Sequence, residues 1–295
     1  MATVLEDERT QQHEAIRAAI RDICKDFPDS YWREVDQRHE YPEAFVRALT
    51  EAGWLACLIP EEHGGAGLGI TEASLILEEL NRSGANSAAC HAQMYIMGTL
   101  LKHGSEDQKR RYLPKIASGE LRLQAFAVTE PNAGSETTRI QTTAVRRGDT
   151  YVVNGQKIWI SRVLQSDLML LLARTTPYDE LDDKTRGLSV FLVDLRTAGS
   201  GLDVRPIDTM INHATNELFF NDLEVPAENL IGQEGQGFRH ILDGMNAERI
   251  LIASEAIRIR SAFIPSRMWR KPSPSRPIRF WAGTSRSLKN SSFVA

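Results

Sequence analysis

Phe126 to Ser161 reads FAVTEPNAGSETTRIQTTAVRRGDTYVVNGQKIWIS and changes character along its length. It opens on an apolar run that ends in a hydroxyl, Phe126-Ala127-Val128-Thr129, and passes into a turn of small residues from Glu130 to Ser135. Two turn signals follow, Gly148-Asp149 and Asn154-Gly155. Asn-Gly between apolar runs is the strongest short hairpin signal a sequence offers, so the stretch predicts a β-meander. It closes on Trp159-Ile160-Ser161. In a strand, residues i and i+2 share a face. Trp159 and Ser161 should therefore stand side by side, a flat apolar ring beside a hydrogen-bonding tip. That pair suits a planar heteroaromatic ligand, although Trp-x-Ser on a strand is by itself more often ordinary packing.

Upstream of this stretch the apolar period is helical. Ile16, Ile20, Ile23 and Phe27 form one stripe of an amphipathic helix. Pro42 opens a second helix with Phe45, Val46 and Leu49 inward and Gly53 at its end. The glycines from Gly64 to Gly67 mark a loop. Thr71 can cap the next helix, with Ile76 and Leu80 on its core side. A long apolar helix follows through Met94 and Leu101. Ser105-Glu106-Asp107-Gln108 then gives an S-x-x-Q capping box ahead of Tyr112, Leu113 and Ile116.

Near residue 121 the period becomes 2. Strands are expected at 123–129, 141–145, 151–153, 157–160, 168–173, 188–193 and 218–220. Short strands with frequent turns suggest an antiparallel sheet or small barrel. From Gly237 a helix resumes, with Phe238, Ile241, Met245 and Ile252 on one face and Glu248 on the same stripe. A carboxylate on an apolar stripe is costly to bury unless it is paired or used, and burial would raise its pKa toward that of a general base. The bland reading is a solvated stripe edge with a nearby cation. The fold class is thus α+β: an N-terminal all-α bundle over 1–120, a middle antiparallel β-domain over 121–235, and the first helix of a C-terminal helical domain over 236–257. Residues 258–295 read as a basic, disordered tail. From 256 onward the chain has no Asp or Glu but nine Lys and Arg, with Pro265, Pro272, Pro274 and Pro277 against any helix. The abrupt change suggests a shifted frame, a splice variant or a truncated reading, with a genuine basic tail as the alternative.

The 295 residues, 42% apolar and 25% charged, are ordinary for a soluble globular protein of one large domain or two modest ones. A net charge of −4 gives no footing for nucleic acid, and no run approaches the ~20 apolar residues of a membrane span. Glu6, Asp7 and Glu8 argue against a transit or signal peptide, so a cytoplasmic location is expected. The three cysteines, Cys24, Cys57 and Cys90, are scattered and read as buried thiols. The histidines show no metal-ligand spacing, so no metal is assigned. The glycines near residue 65 follow no strand and are not a dinucleotide fingerprint.

Two motifs, V-T-E-P-x-A-G-S at 128–135 and N-G-Q-K-x-W-I-S at 154–161, resemble the flavin-binding middle domain of the acyl-CoA dehydrogenase family. The loop GWLACLIPEEHGGAGLG and the run NELFFNDLEVPAENLIGQEGQGF are similar to the family at matching places, so the resemblance spans roughly 8–257. It implies FAD as cofactor and an acyl-CoA substrate oxidised to its 2,3-enoyl product. It implies that Phe126, Val128 and Thr129 line the flavin, with Thr129 on the pyrimidine edge, and that Trp159 and Ile160 pack near it. Ser161 would donate near N5, where the family usually has Thr. Ser135 would lie by the pyrophosphate and the CoA side. Glu136 stands where the family usually has Asp, and Arg139 where a small residue is usual. Met245-Asn246-Ala247-Glu248-Arg249 matches the minority of members that carry the catalytic base on this helix, which points to Glu248. Arg249 matches an arginine near the substrate, and Asn246 stands where an Asp often contacts CoA. The resemblance also implies an electron-transferring flavoprotein as acceptor and a homo-tetramer or homo-dimer in full-length relatives. Two alternatives stay open: a non-catalytic fragment lacking the C-terminal bundle, and a flavin oxidase of the same fold, akin to acyl-CoA or nitroalkane oxidases.

Overall fold

The computed structural model describes residues 2–209 and 213–263. Six helices come first: α1 (Ala2–Lys25), α2 (Asp29–Gln37), α3 (Glu43–Glu51), α4 (Ile70–Arg82), α5 (Ala88–His103) and α6 (Glu106–Ala117). The stripes of α1, α3 and α4 meet in one core, while Tyr112, Leu113 and Ile116 of α6 join a second one with the sheet. Ile16 and Ile20 of α1 pack with Phe45, Val46 and Leu49 of α3 and Ile76, Leu77 and Leu80 of α4. The capping box forms as the sequence predicts: Ser105 Oγ accepts from the Gln108 amide at 3.1 Å, and Gln108 Oε1 accepts from the Ser105 amide at 2.9 Å. The start of α4 differs from expectation. Thr71 lies inside the helix, and Glu72 folds back to accept the Gly69 amide at 3.0 Å. A first-turn carboxylate serves there in place of the hydroxyl cap. Helix α2 was not foreseen; it carries no buried residue, so no apolar stripe announces it.

Eight strands follow: β1 (Leu123–Ala127), β2 (Thr143–Arg147), β3 (Thr150–Ser161), β4 (Leu168–Arg174), β5 (Leu188–Asp194), β6 (Leu202–Ile207), β7 (Thr215–Pro226) and β8 (Leu230–Ile231). They form one sheet in the order β6-β7-β3-β2-β4-β5-β8, with β1 added beside β4. The sheet is mainly antiparallel but mixed, since β1 and β2 each run parallel to β4. One of the two hairpin signals holds. Gly148-Asp149 is a two-residue turn that brings Arg147 opposite Thr150, with Gly148 at φ 61°. Asn154-Gly155 is not a turn. Strand β3 runs straight through it, and the register slips at that point against β7. Gly155 is required for another reason: at φ 147° it passes so close to the chain entering β2 that an added Cβ would sit 2.6 Å from the Thr142 Cα. An isolated Gly in a strand pattern marks such a bulge or close approach as readily as a hairpin.

Helix α7 (Gly237–Phe263) returns the chain to the helical side and packs between α4 and α5. Its backbone continues past residue 257, where a tail was expected, and the rest of that tail lies outside the described residues. The crossing with α5 is tight because glycine faces glycine. A Cβ on Gly98 would lie 3.8 Å from the Gly244 Cα, and one on Gly244 would meet Thr99 Oγ1 at 2.6 Å. The three cysteines are free and buried. Among the described residues no helix is long and apolar enough to cross a membrane.

Candidate active site

Where the sheet meets α5 and α7, a cavity of about 450 Å³ opens. That size suits a small-molecule or cofactor site. Phe126, Val128 and Thr129, at the end of β1 and just past it, line one wall, and Trp159, Ile160 and Ser161 at the end of β3 line the next. Tyr95 of α5 and Met245, Glu248 and Ile252 of α7 close the helical side.

A local distortion aims the indole. Strand β3 loses register between Lys157 and Ile160, and Trp159 adopts φ 64°. A bulky residue in that left-handed region costs on the order of 1–2 kcal/mol and persists only where its surroundings over-determine it. The result is an indole 59% exposed yet facing the cavity. The alternation rule alone places Trp159 and Ser161 together; the bulge is what presents the ring.

The wall beneath is held by a buried ion pair. Lys157 is 0% exposed and donates to Glu130 Oε1 at 2.9 Å and to the Val128 carbonyl at 2.8 Å. Glu130 also accepts the Gln141 amide at 2.6 Å and the Thr142 amide at 2.9 Å. Burial pushes the Lys157 ammonium down to about 8, against the pull of Glu130. Burial likewise works to raise Glu130, but Lys157 and the hydrogen bonds from Thr142 and Gln141 outweigh it and hold the carboxyl below its usual range. The Ile158 amide ties back to the Thr129 carbonyl at 2.9 Å. Thus the Glu and Lys of the two motifs clamp β3 to the loop after β1, and the side chains of Val128, Thr129 and Trp159 are presented from a rigid base.

On the helical side, Tyr95 meets Phe126 edge-on, with ring centroids 6.3 Å apart. Burial, with the charge of Glu248 adding to it, raises the Tyr95 pKa well above that of a free phenol. Glu248 is half-buried, with Leu251 and Ile241 on the same helix fully packed. The stripe that suggested an inward carboxylate is therefore real, although Ile252 at its far end is exposed.

Of the residues singled out from sequence, Phe126, Val128, Thr129, Trp159, Ile160, Ser161 and Glu248 meet in this cavity. Ser135, Asn246 and Arg249 do not line it. All three are exposed, and Arg249 Nη1 donates to Asn246 Oδ1 at 3.3 Å. Tyr95, Gln124, Thr137, Arg162 and His213 also line the cavity and were missed. His213 Nε2 lies 3.0 Å from Ser161 Oγ, so the hydroxyl already has a protein partner. The Gln124 amide group exchanges hydrogen bonds with the Tyr41 hydroxyl. Arg162 follows the second motif directly, and a charge next to an apolar strand end was its only signal. A second cavity of about 460 Å³, beside Arg174 and Tyr178, contains none of the candidate site residues, although Arg139 lines it.

The acyl-CoA dehydrogenase N-terminal domain model matches residues 10–120, and the middle domain model matches residues 125–223. The chain belongs to the acyl-CoA dehydrogenase family. Among similar proteins is cyclohex-1-ene-1-carbonyl-CoA dehydrogenase of Syntrophus aciditrophicus, 34% identical over 86% of this chain and 61% of that protein. The short-chain specific acyl-CoA dehydrogenase of Clostridium acetobutylicum is 31% identical over 89% of this chain and 69% of that one. Among solved structures, a glutaryl-coenzyme A dehydrogenase in complex with glutaryl-CoA superposes with a TM-score of 0.78 at 30% identity, covering 85% of this chain and 64% of that one. Against the first curated relatives, the chain spans 61% to 63% of their length.

Proposed function

We propose that this family member binds FAD and an acyl-CoA thioester in the cavity between β1, β3, α5 and α7, and oxidises the thioester to its 2,3-enoyl-CoA. The observation that carries the reading is the convergence on one cavity of an exposed indole, the Thr129 and Ser161 side chains, and the Glu248 carboxylate on the opposite, helical wall. The wall residues fit an isoalloxazine. Trp159 offers a flat face, held out by the positive-φ backbone beneath it. Thr129 and Ser161 offer hydroxyls for ring edges. FAD, when bound there, supplies the acceptor for the hydride leaving the β-carbon.

The chain's own residues do the rest. Glu248 takes the α-proton from its half-buried position on the cavity wall near Tyr95. Trp159 and Phe126 exclude water and orient the bound ring. Ser161 offers its hydroxyl on the same wall, with His213 Nε2 3.0 Å from its oxygen. Exposed Ser135, Asn246 and Arg249 lie outside the cavity, where the polar CoA portion would leave it. We take the electron acceptor to be an electron-transferring flavoprotein, the longer assembly a homo-dimer or homo-tetramer, and the location cytoplasmic.

The test is a half-reaction. The 295-residue chain is loaded with FAD and mixed anaerobically with short acyl-CoA thioesters while the visible flavin band is followed. Bleaching is expected, and Glu248→Gln should slow it roughly 10²- to 10⁴-fold with flavin still bound. Stable protein that takes up no flavin would sink the reading and leave the non-catalytic one. Bleaching at an unchanged rate in Glu248→Gln would remove Glu248 as the base.

A further inference from the structure

Among the described residues Arg162 is the one arginine on the cavity wall. It is 3% exposed, and among the described residues its guanidinium makes no side-chain hydrogen bond and no ion pair. Its backbone is at φ 56°, anchored by its amide to the Ala214 carbonyl at 2.8 Å. That turn ends β3 and sends the side chain inward instead of along the sheet. Its charged and polar neighbours come from the helical side: Tyr41, Cys90 and Tyr95, with Glu255 of α7 the weakest influence of the four. Burial therefore lowers its pKa, with those neighbours only partly compensating.

An arginine stays charged at any ordinary pH. Taking such a charge out of water costs several kcal/mol unless a partner is supplied. Lys157, close by in the chain, is given its carboxylate by the protein. Arg162 is given none within reach, but it is given a cavity. We infer that Arg162 is a specificity-determining residue whose guanidinium receives a carboxylate at the far end of the acyl chain. The inference rests on the acyl-CoA reading of this cavity.

The position of Arg162 selects among anions. The phosphates of CoA belong at the open rim, where Ser135, Asn246 and Arg249 are exposed. Arg162 is instead surrounded by fully buried Cys90 and by Tyr95, which also borders the proposed base Glu248. Only the end of the acyl chain beyond the reacting carbons would reach that depth. A plain alkyl end would leave the guanidinium unpaired in an apolar wall. A carboxylate would meet its fork in a bidentate pair, the strongest geometry open to it.

The experiment measures binding instead of turnover. The FAD-loaded 295-residue chain is titrated calorimetrically with n-alkanoyl-CoA thioesters, with ω-carboxyacyl-CoA thioesters of the same lengths, and with the methyl esters of the latter. At one chain length the free carboxylate should bind roughly 10- to 100-fold tighter than both neutral ligands. Arg162→Met should erase that preference and bind the alkyl thioesters at least as tightly as the native chain does. Arg162→Lys should keep part of it, as a point charge without the fork; it also serves if the methionine variant fails to fold. Equal affinity for charged and neutral ligands in the native chain would overturn the inference alone. So would Arg162→Met weakening all ligands alike, or weakening flavin retention without changing the preference. Binding of no thioester at all would overturn the acyl-CoA reading and this inference with it.

Discussion

Lys157 and Arg162 stand on one stretch of chain, the first inside β3 and the second just past its end, and both are cut off from water. Their surroundings differ. Lys157 reaches a carboxylate and a carbonyl, and that carboxylate is itself fixed by two backbone amides. Arg162 is buried to nearly the same degree but faces a cavity. Paired buried charges hold one backbone against another. An unpaired one beside open space is kept for something that arrives later. The contrast separates what builds the wall from what reads the ligand.

The contrast can be broken at its strong end first. Lys157→Met should lose roughly 3–5 kcal/mol of stability in denaturant titration, because Glu130 would stay buried without its cation. Adding Glu130→Gln should restore much of that loss. Next comes the opposite sign: Arg162→Met should leave stability unchanged or raise it by about 1 kcal/mol, since it removes a burial cost that its neighbours only partly offset. A loss as large as that of Lys157→Met would abolish the distinction. Acid titration sharpens it further. The Glu130 pKa is depressed in the fold, so its contribution is complete above the unfolded value of 4.5 and is lost as pH falls below it. The unfolding midpoint should drop more steeply through that acid range in the native chain than in Glu130→Gln. The smallest effect belongs to Trp159→Ala. An exposed ring contributes little to the fold, so stability should move by no more than about 0.5 kcal/mol while flavin retention falls. A large stability loss there would mean the indole is packing, not platform.

Much of this was legible in residue order, and the reason is periodicity. Ile16, Ile20, Phe45 and Leu49 announce helices by spacing, and the Ser105 and Gln108 cap announces itself by chemistry. The strands reveal themselves by alternation or, for β4 and β5, as short unbroken apolar runs, except β6 and β8. Strand β6 is half-exposed and contains Pro206, and β8 has only two residues. Asn154-Gly155 misled because a glycine needed for close approach to Thr142 looks the same in sequence as a glycine needed for a turn. The cavity was legible where motif residues are contiguous, as at 126–129 and 159–161. Tyr95, Gln124 and His213 were not legible. They reach the cavity through tertiary packing, which leaves no local pattern. Arg162 was in plain view, but its meaning depends on which partners it lacks, and that is a fact of three dimensions.

The glycines at 98 and 244 set a distance. With no side chain at the crossing, α5 and α7 touch nearly backbone to backbone, and the residues one turn away on each, Tyr95 and Glu248, are drawn toward one space. A methyl group at position 244 would strike Thr99 and wedge the helices apart. The carboxyl would then retreat from its target though nothing near it had changed, and a displacement of about 1 Å is enough to cost on the order of 10² in rate. Reach, in this molecule, is governed by a hydrogen atom standing where almost any other residue would place carbon.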